Sequence, residues 1–247
     1  YLTNQTITNN GTLTIIDSSE DESGLITSAS APNLIANAGT LVFESGNLSK
    51  TTSSGVPLST TGNLTINGGK ITTPGVGISG SGTVKITDVN ITTDGTCFDL
   101  YGNTTITGGT YNSTTVAATA GGTTNITGGT FTSTSNALSS TGTVNVRGGT
   151  FTSSNGYGLY TQRNILNVYD GEIKGVVGVY NDYYLTSTWH DYYGSTVNIY
   201  GGNIEGTNVG VQNNNSYLNI YGGNIKGGNY GIYFGGRTLE IGTNNEE

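Results

Sequence analysis

Apolar residues in this chain recur as a pair two positions apart, then singly, then singly again, before the pattern restarts. In the segment 195–205, "STVNIYGGNIE", Val197 and Ile199 point to one side while Asn198 and Tyr200 point to the other. That is the period of a β-strand. A glycine pair follows, then a short segment with one inward apolar residue, Ile204, then a third segment with Val211. The unit predicts three short strands joined by tight corners, where glycine supplies positive φ or close backbone approach.

The unit repeats at a spacing of 20 through "GNLTINGGKIT" (62–72), "GTVKITDVNIT" (82–92), "GNTTITGGTYN" (102–112), "GTTNITGGTFT" (122–132) and "GTVNVRGGTFT" (142–152). It continues in "NILNVYDGEIK" (164–174), "STVNIYGGNIE" (195–205) and "SYLNIYGGNIK" (216–226), and more loosely from "GTLTIID" (11–17) to "GRTLEIG" (236–242). One such coil cannot bury its own apolar row, but stacked coils build a continuous column. At ~4.8 Å per coil, ten coils make a rod of roughly 50 Å. The expected fold is all-β: a right-handed parallel β-helix solenoid of about ten coils, each of about 20 residues and three short strands. It forms one domain over 1–247. A sandwich would need antiparallel turn signals at shorter spacing. The acidic "DSSEDESG" (17–24) widens an early coil and guards that end. The abrupt ends, "YLTNQ" and "TNNEE", suggest a segment of a longer protein.

Composition narrows the function classes. Only 33% of residues are hydrophobic and 41 of the 247 are glycine, so the core must be a thin, regular column. Net charge is −8 with 10% charged residues and no Lys/Arg cluster, which argues against nucleic acid or anionic membrane as partner. No apolar run approaches the ~18 residues of a membrane span. The single Cys97 excludes an internal disulfide framework and Cys-x-x-Cys metal sites, and reads as a small buried residue. No cofactor and no metal are expected, and the chain is expected to be monomeric.

Aligning the coils turns each outward position into a column. One reads Asn125, Asn145, Asn167, Asn198, Asn219, an amide ladder. The next reads Arg147, Tyr169, Tyr200, Tyr221; others read Tyr160, Tyr180, Gln212, Tyr233 and Lys174, Glu205, Lys226, the last a surface ion-pair ladder. Of the 16 tyrosines, 13 lie after residue 156, so the C-terminal coils are Tyr-faced and the N-terminal coils Thr/Ser-faced. Exposed aromatic columns either stiffen the rod or offer platforms for sugar rings.

The second glycines of successive units, and the positions equivalent to them, fall at 149, 171, 202 and 223. One coil therefore carries about ten extra residues, within 182–194, "DYYLTSTWHDYYG". This stretch holds the only Trp (Trp189) and the only His (His190). It reads as a loop projecting between the third strand of one coil and the first strand of the next. A loop on a rigid scaffold suits recognition; the plainer reading is that Trp189 plugs the coil edge. The candidate ligand-binding residues are Tyr183, Tyr184, Trp189, His190, Tyr192 and Tyr193 of the loop, with the column Tyr169, Tyr200, Tyr221.

Residues 11–242 resemble the pectate-lyase-like right-handed β-helix superfamily. Their "LTINGG" and "VNIYGG" coils are more closely similar to Gly/Thr/Asn-rich repeats of bacterial cell-surface, adhesin-like proteins. The resemblance implies an extracellular, cell-surface module binding glycan or a host or neighbouring-cell component, or serving as a stalk. It also admits polysaccharide lyases and glycoside hydrolases. Glycoside hydrolysis wants facing carboxylates, and lyases of this fold want an acidic Ca²⁺ site beside an Arg or Lys base. Here Asp88, Asp94 and Asp99, Asp170 and Glu172, and Asp182 and Asp191 do not repeat as a convergent set, so no catalytic residues are assigned. Outward Thr-x-Thr pairs form no long flat column of the kind an ice surface would match.

Overall fold

Strand-forming pairs and glycine corners close each repeat into one turn of a parallel β-solenoid with about ten turns and, among the described residues, no helix. The computed structural model describes residues 5–185 and 192–242. Three sheets run the length of the rod. In one coil, Asn63–Ile66 belongs to the first sheet, Lys70–Thr73 to the second and Ile78–Gly80 to the third. Each pairs in parallel with its equivalent one coil on: Leu64 with Val84, Ile71 with Ile91, Ile78 with Phe98. The coil step is 20 residues in the middle of the rod. Near the start it is 28, Leu13 pairing with Leu41, because residues 17–24 loop out. The Asp17 carboxylate ties that loop, accepting from the backbone and hydroxyl of Ser19 and from the backbone of Gly24.

The expected inward residues form the core. Phe98, Ala118, Phe131, Leu138, Phe151, Leu159, Ile173 and Val179 are fully buried. Ring volume on one sheet is matched by small residues on the others, as close packing requires. Tyr111, Phe131 and Phe151 stack along the second sheet at 4.5 and 4.7 Å between centroids. Facing this stack, the first sheet offers Thr104 and Thr124 and the third offers Ala117, Ala118 and Ala120. Cys97 is buried in the same region, and desolvation pushes its thiol up to about 12.

The corner from the first sheet to the second falls on the repeated glycine pair. Gly149 and Gly202 adopt φ of 101° and 90°, the left-handed region that side chains disfavour. At the corner from the third sheet to the first, the interior is polar at both ends of the rod. Asn9 donates to Asn37 and Asn37 to Thr60; far along the rod, Asn181 donates to Asn213.

The extra residues form a short antiparallel hairpin at that same corner. Tyr183 pairs with Gly194, Tyr184 with Tyr193 and Leu185 with Tyr192. The coil step across it is 31, Ile173 with Ile204, and returns to 21 with Ile204 and Ile225.

Candidate functional site

The outer faces of the C-terminal coils carry tyrosines, among them two groups held apart by the first sheet and, on the last coil, the exposed pair Tyr230 and Tyr233. The amide ladder runs down the middle of that sheet as a continuous chain. Asn219 donates to Asn198, Asn198 to Asn167, Asn167 to Asn145 and Asn145 to Asn125, each at 2.8–2.9 Å. Each of the three inner amides uses one N–H and its carbonyl within the ladder, which fixes the side chains and leaves a second N–H.

Beside the ladder, at the corner toward the second sheet, Tyr169 and Tyr200 stack at 4.8 Å with ring planes 8° apart. Tyr200 and Tyr221 follow at 5.2 Å and 21°. The guanidinium of Arg147 caps the row, 3.9 Å from the Tyr169 ring centroid. Within this column both faces of Tyr169 and Tyr200 are covered, as is the face of Tyr221 toward Tyr200. What the column offers outward is ring edges and hydroxyls, chemistry suited to hydrogen bonding more than to stacking on a sugar face.

The second group sits on the outer face of the third sheet, at the foot of the hairpin. Tyr157 lies 4.5 Å from Tyr180 and 5.7 Å from Tyr160, centroid to centroid. Tyr160 and Tyr180 are in register on adjacent coils, as are Gln162 and Asp182. Asn214 donates to the Tyr180 hydroxyl at 2.6 Å, and Gln162 donates to the Tyr183 carbonyl at 3.0 Å. The Asp182 carboxylate accepts from the Tyr183 backbone at 2.9 Å, while its carbonyl accepts from Ser195 at 2.7 Å, clamping the two legs of the hairpin. Desolvation holds the Asp182 carboxyl above the usual carboxylate range. Burial, with the Asp182 charge and the neighbouring Tyr157, pushes the phenol of Tyr160 up to about 12. Tyr180 is raised to about 12 mainly by the same three effects. All these side chains are half-buried: an aromatic wall around one carboxylate, with amide groups at its rim.

The hairpin thus rises beside the Tyr160/Tyr180 column. Tyr169, Tyr200 and Tyr221 lie at the other end of the first-sheet strand Thr196–Ile199. Tyr183, Tyr184, Tyr192 and Tyr193 belong to the paired strands of the hairpin. Trp189 and His190, with Asp191, lie outside the described residues. The lysine–glutamate column forms in part: Lys226 meets Glu205 at 3.3 Å, but Lys174 turns to Glu172 on its own strand at 4.0 Å. Reasoning from sequence missed the role of Asn181 and Asn213. Both occupy the inward position after Val179 and Val211, where period-two alternation would have flagged a buried amide.

Among the described residues, no three His, Cys, Asp or Glu side chains come together to hold a metal ion. Asp170 and Glu172 lie at the corner between the first and second sheets, and Asp182 at the corner between the third and first. Among the same residues no helix is long and apolar enough to cross a membrane. Comparison with known proteins finds no matching family model, no matching curated protein and no matching solved structure.

Proposed function

We propose that this chain is a non-catalytic β-helical module of an extracellular bacterial surface protein of adhesin-like type. It engages a glycan or another cell-surface component through its tyrosine-bearing C-terminal coils. The supporting observation is the group Tyr157, Tyr160, Tyr180, Asp182, Gln162 and Asn214, gathered where the one inserted hairpin leaves the rod. Aromatic carbon beside a carboxylate and amides is the combination that a sugar, with apolar C–H faces and a rim of hydroxyls, can satisfy at once. The rest of the rod supplies a rigid support, because every coil is tied to the next by continuous backbone pairing. On this reading the hydroxyl row of Tyr169, Tyr200 and Tyr221 adds a second polar contact line, and the hairpin adds specificity.

The experiment is a glycan array probed with the intact chain, followed by titration calorimetry on any hit. Saturable binding that falls when Tyr160 and Tyr180 are both changed to Ala supports the proposal. If the folded wild-type chain binds nothing on the array, it is a spacer and the glycan-binding reading is overturned.

A further inference from the structure

The corner from which the hairpin leaves carries, in the preceding coils, a column of glycines: Gly39, Gly62, Gly82, Gly102, Gly122 and Gly142. A Cβ on any of the last five would sit 1.9–2.4 Å from the carbonyl oxygen of the glycine one coil earlier, so stacking itself demands glycine there. The consequence is a trough with a bare backbone floor. It is open to solvent over four coils, with Thr61, Ser81 and Tyr101 on one wall and Asn63, Thr83, Asn103 and Thr123 on the other. Toward the C-terminus the floor position passes to Asn164 and Ser195, where the glycines stop and the hairpin begins.

Tyr101 stands out on this wall. Between residues 5 and 156 the only other tyrosine is the buried Tyr111, and Tyr101 is 53% exposed. It can lie close against the rod because the next coil has Gly121 at the equivalent position. A Cβ there would meet the ring at 2.7 Å. Among the described residues no ring is stacked on Tyr101 as rings are on Tyr200, so it keeps a face for a ligand. The Asp99 carboxylate lies against its hydroxyl and holds the phenol pKa up, while one Asp99 oxygen is buried with no partner.

Register links this wall to the patch at the hairpin. From Asp99 the third-sheet column runs through Thr119 and Ser139 to Tyr160 and Tyr180. The adjacent column runs from Tyr101 through Gly121 and Thr141 to Gln162 and Asp182. Three coils separate Tyr101 from Gln162, about 14 Å at the usual strand spacing. The intervening positions are small and, Gly121 apart, hydroxyl-bearing.

We propose that the trough and its wall bind a linear, uncharged polysaccharide lengthwise, with one sugar ring on Tyr101 and another beside Tyr160 and Tyr180 at the hairpin. Asp182 would accept from a sugar hydroxyl at the hairpin end, Asp99 would hold the Tyr101 phenol at the other, and the Thr, Ser and Asn side chains would line the middle. Carboxylates at both ends, on a chain of net charge −8, select against a polyanion. This rests on the glycan-binding reading above and deepens it by naming the path and the charge class.

The test titrates the intact chain with neutral gluco-, manno-, galacto- and xylo-oligosaccharides of increasing length, and with polygalacturonate. Affinity for one neutral series should rise with length and then level off once the trough is filled. Tyr101→Ala should weaken the longer oligosaccharides at least about tenfold, with Tyr101→Phe retaining most of the binding. Asn103→Trp, which fills the trough from its exposed wall, should also weaken them, while Thr132→Ala on the second sheet should not. Melting curves of each variant exclude loss by unfolding. Binding of wild type that is unchanged in folded Tyr101→Ala and Asn103→Trp overturns the trough while leaving the glycan-binding reading standing. Preference for polygalacturonate overturns the charge class. Failure of wild type on every sugar would sink both.

Discussion

The side-chain amide of Asn181 donates to Oδ1 of Asn213, 32 residues later, at 2.5 Å inside the corner where the hairpin leaves the rod. Both residues are fully buried. Asn181 also donates to the Tyr217 carbonyl, and Asn213 donates to the Ser216 carbonyl, so two amides stitch three coils from within. The corner is where the chain must hold shape despite an insertion, and buried amides with partners fix one geometry. Asn213→Ala removes its own two bonds and strands an Asn181 N–H in a dry site. The expected cost is about 2–4 kcal/mol, measured by denaturant unfolding. Asn198→Ala in the half-buried outer ladder should cost only about 1 kcal/mol. Equal costs would mean that burial does not set the strength of these ladders.

Much of this fold was legible because stacking imposes one rule on every coil. Val197 and Ile199 alternate with Asn198 and Tyr200, and that alone assigns them to core and surface. The amide chain from Asn125 to Asn219 follows from register alone. The site was less legible. The column Tyr169, Tyr200, Tyr221 can be read off the repeat, but the covering of one ring by the next depends on rotamers. The gathering of Tyr157, Tyr160 and Asp182 crosses neighbouring columns, and neither period shows it. Tyr101 was hidden for the opposite reason: what makes it special is an absence, the missing side chain of Gly121 one coil on.

A buried hydroxyl in the first-sheet core gives the second prediction. Thr104 and Thr124 continue a column filled by Val84 on one side and Val144 on the other. Thr124 donates to the Gly121 carbonyl at 3.2 Å, but the Thr104 hydroxyl has no partner. Valine has the same shape without the polar atom. Thr104→Val should raise stability by about 1 kcal/mol, seen as a higher melting temperature with an unchanged m-value. Thr124→Val, which breaks a bond, should gain less or lose.

Cys97 supplies a built-in reporter of unfolding. Its thiol is fully buried between the second and third sheets and lies 3.3 Å from the Asn112 carbonyl. Desolvation raises its pKa to about 12, so neither access nor thiolate is available in the folded chain at neutral pH. A thiol-reactive chromophore should label the native protein at the rate of global opening, and label it fully in denaturant. Fast labelling of folded protein would show that the coil around Cys97 opens locally.

The last prediction concerns the charge at the foot of the hairpin. Desolvation raises the Asp182 carboxyl above 3.8, outweighing the hydrogen bonds from Tyr183 and Asn214 that favour its charged form. A raised carboxyl pKa means that the folded state binds the proton more tightly than the unfolded state does. Its contribution to stability is therefore fully present below 3.8 and is lost as pH rises through the higher folded value. At neutral pH the ionised carboxylate works against folding. It does so beside two phenols raised to about 12, which its own charge helps keep protonated. Asp182→Asn keeps an oxygen to accept from Tyr183 and drops the charge. Melting temperatures of the two proteins should differ in favour of the variant at pH 7, and the gap should close as pH falls to 3.8 and below. The phenols of Tyr160 and Tyr180 should also titrate at lower pH in the variant, followed by tyrosinate absorbance. A pH-independent gap would mean that the carboxylate is well solvated and that the corner feels only the change in shape.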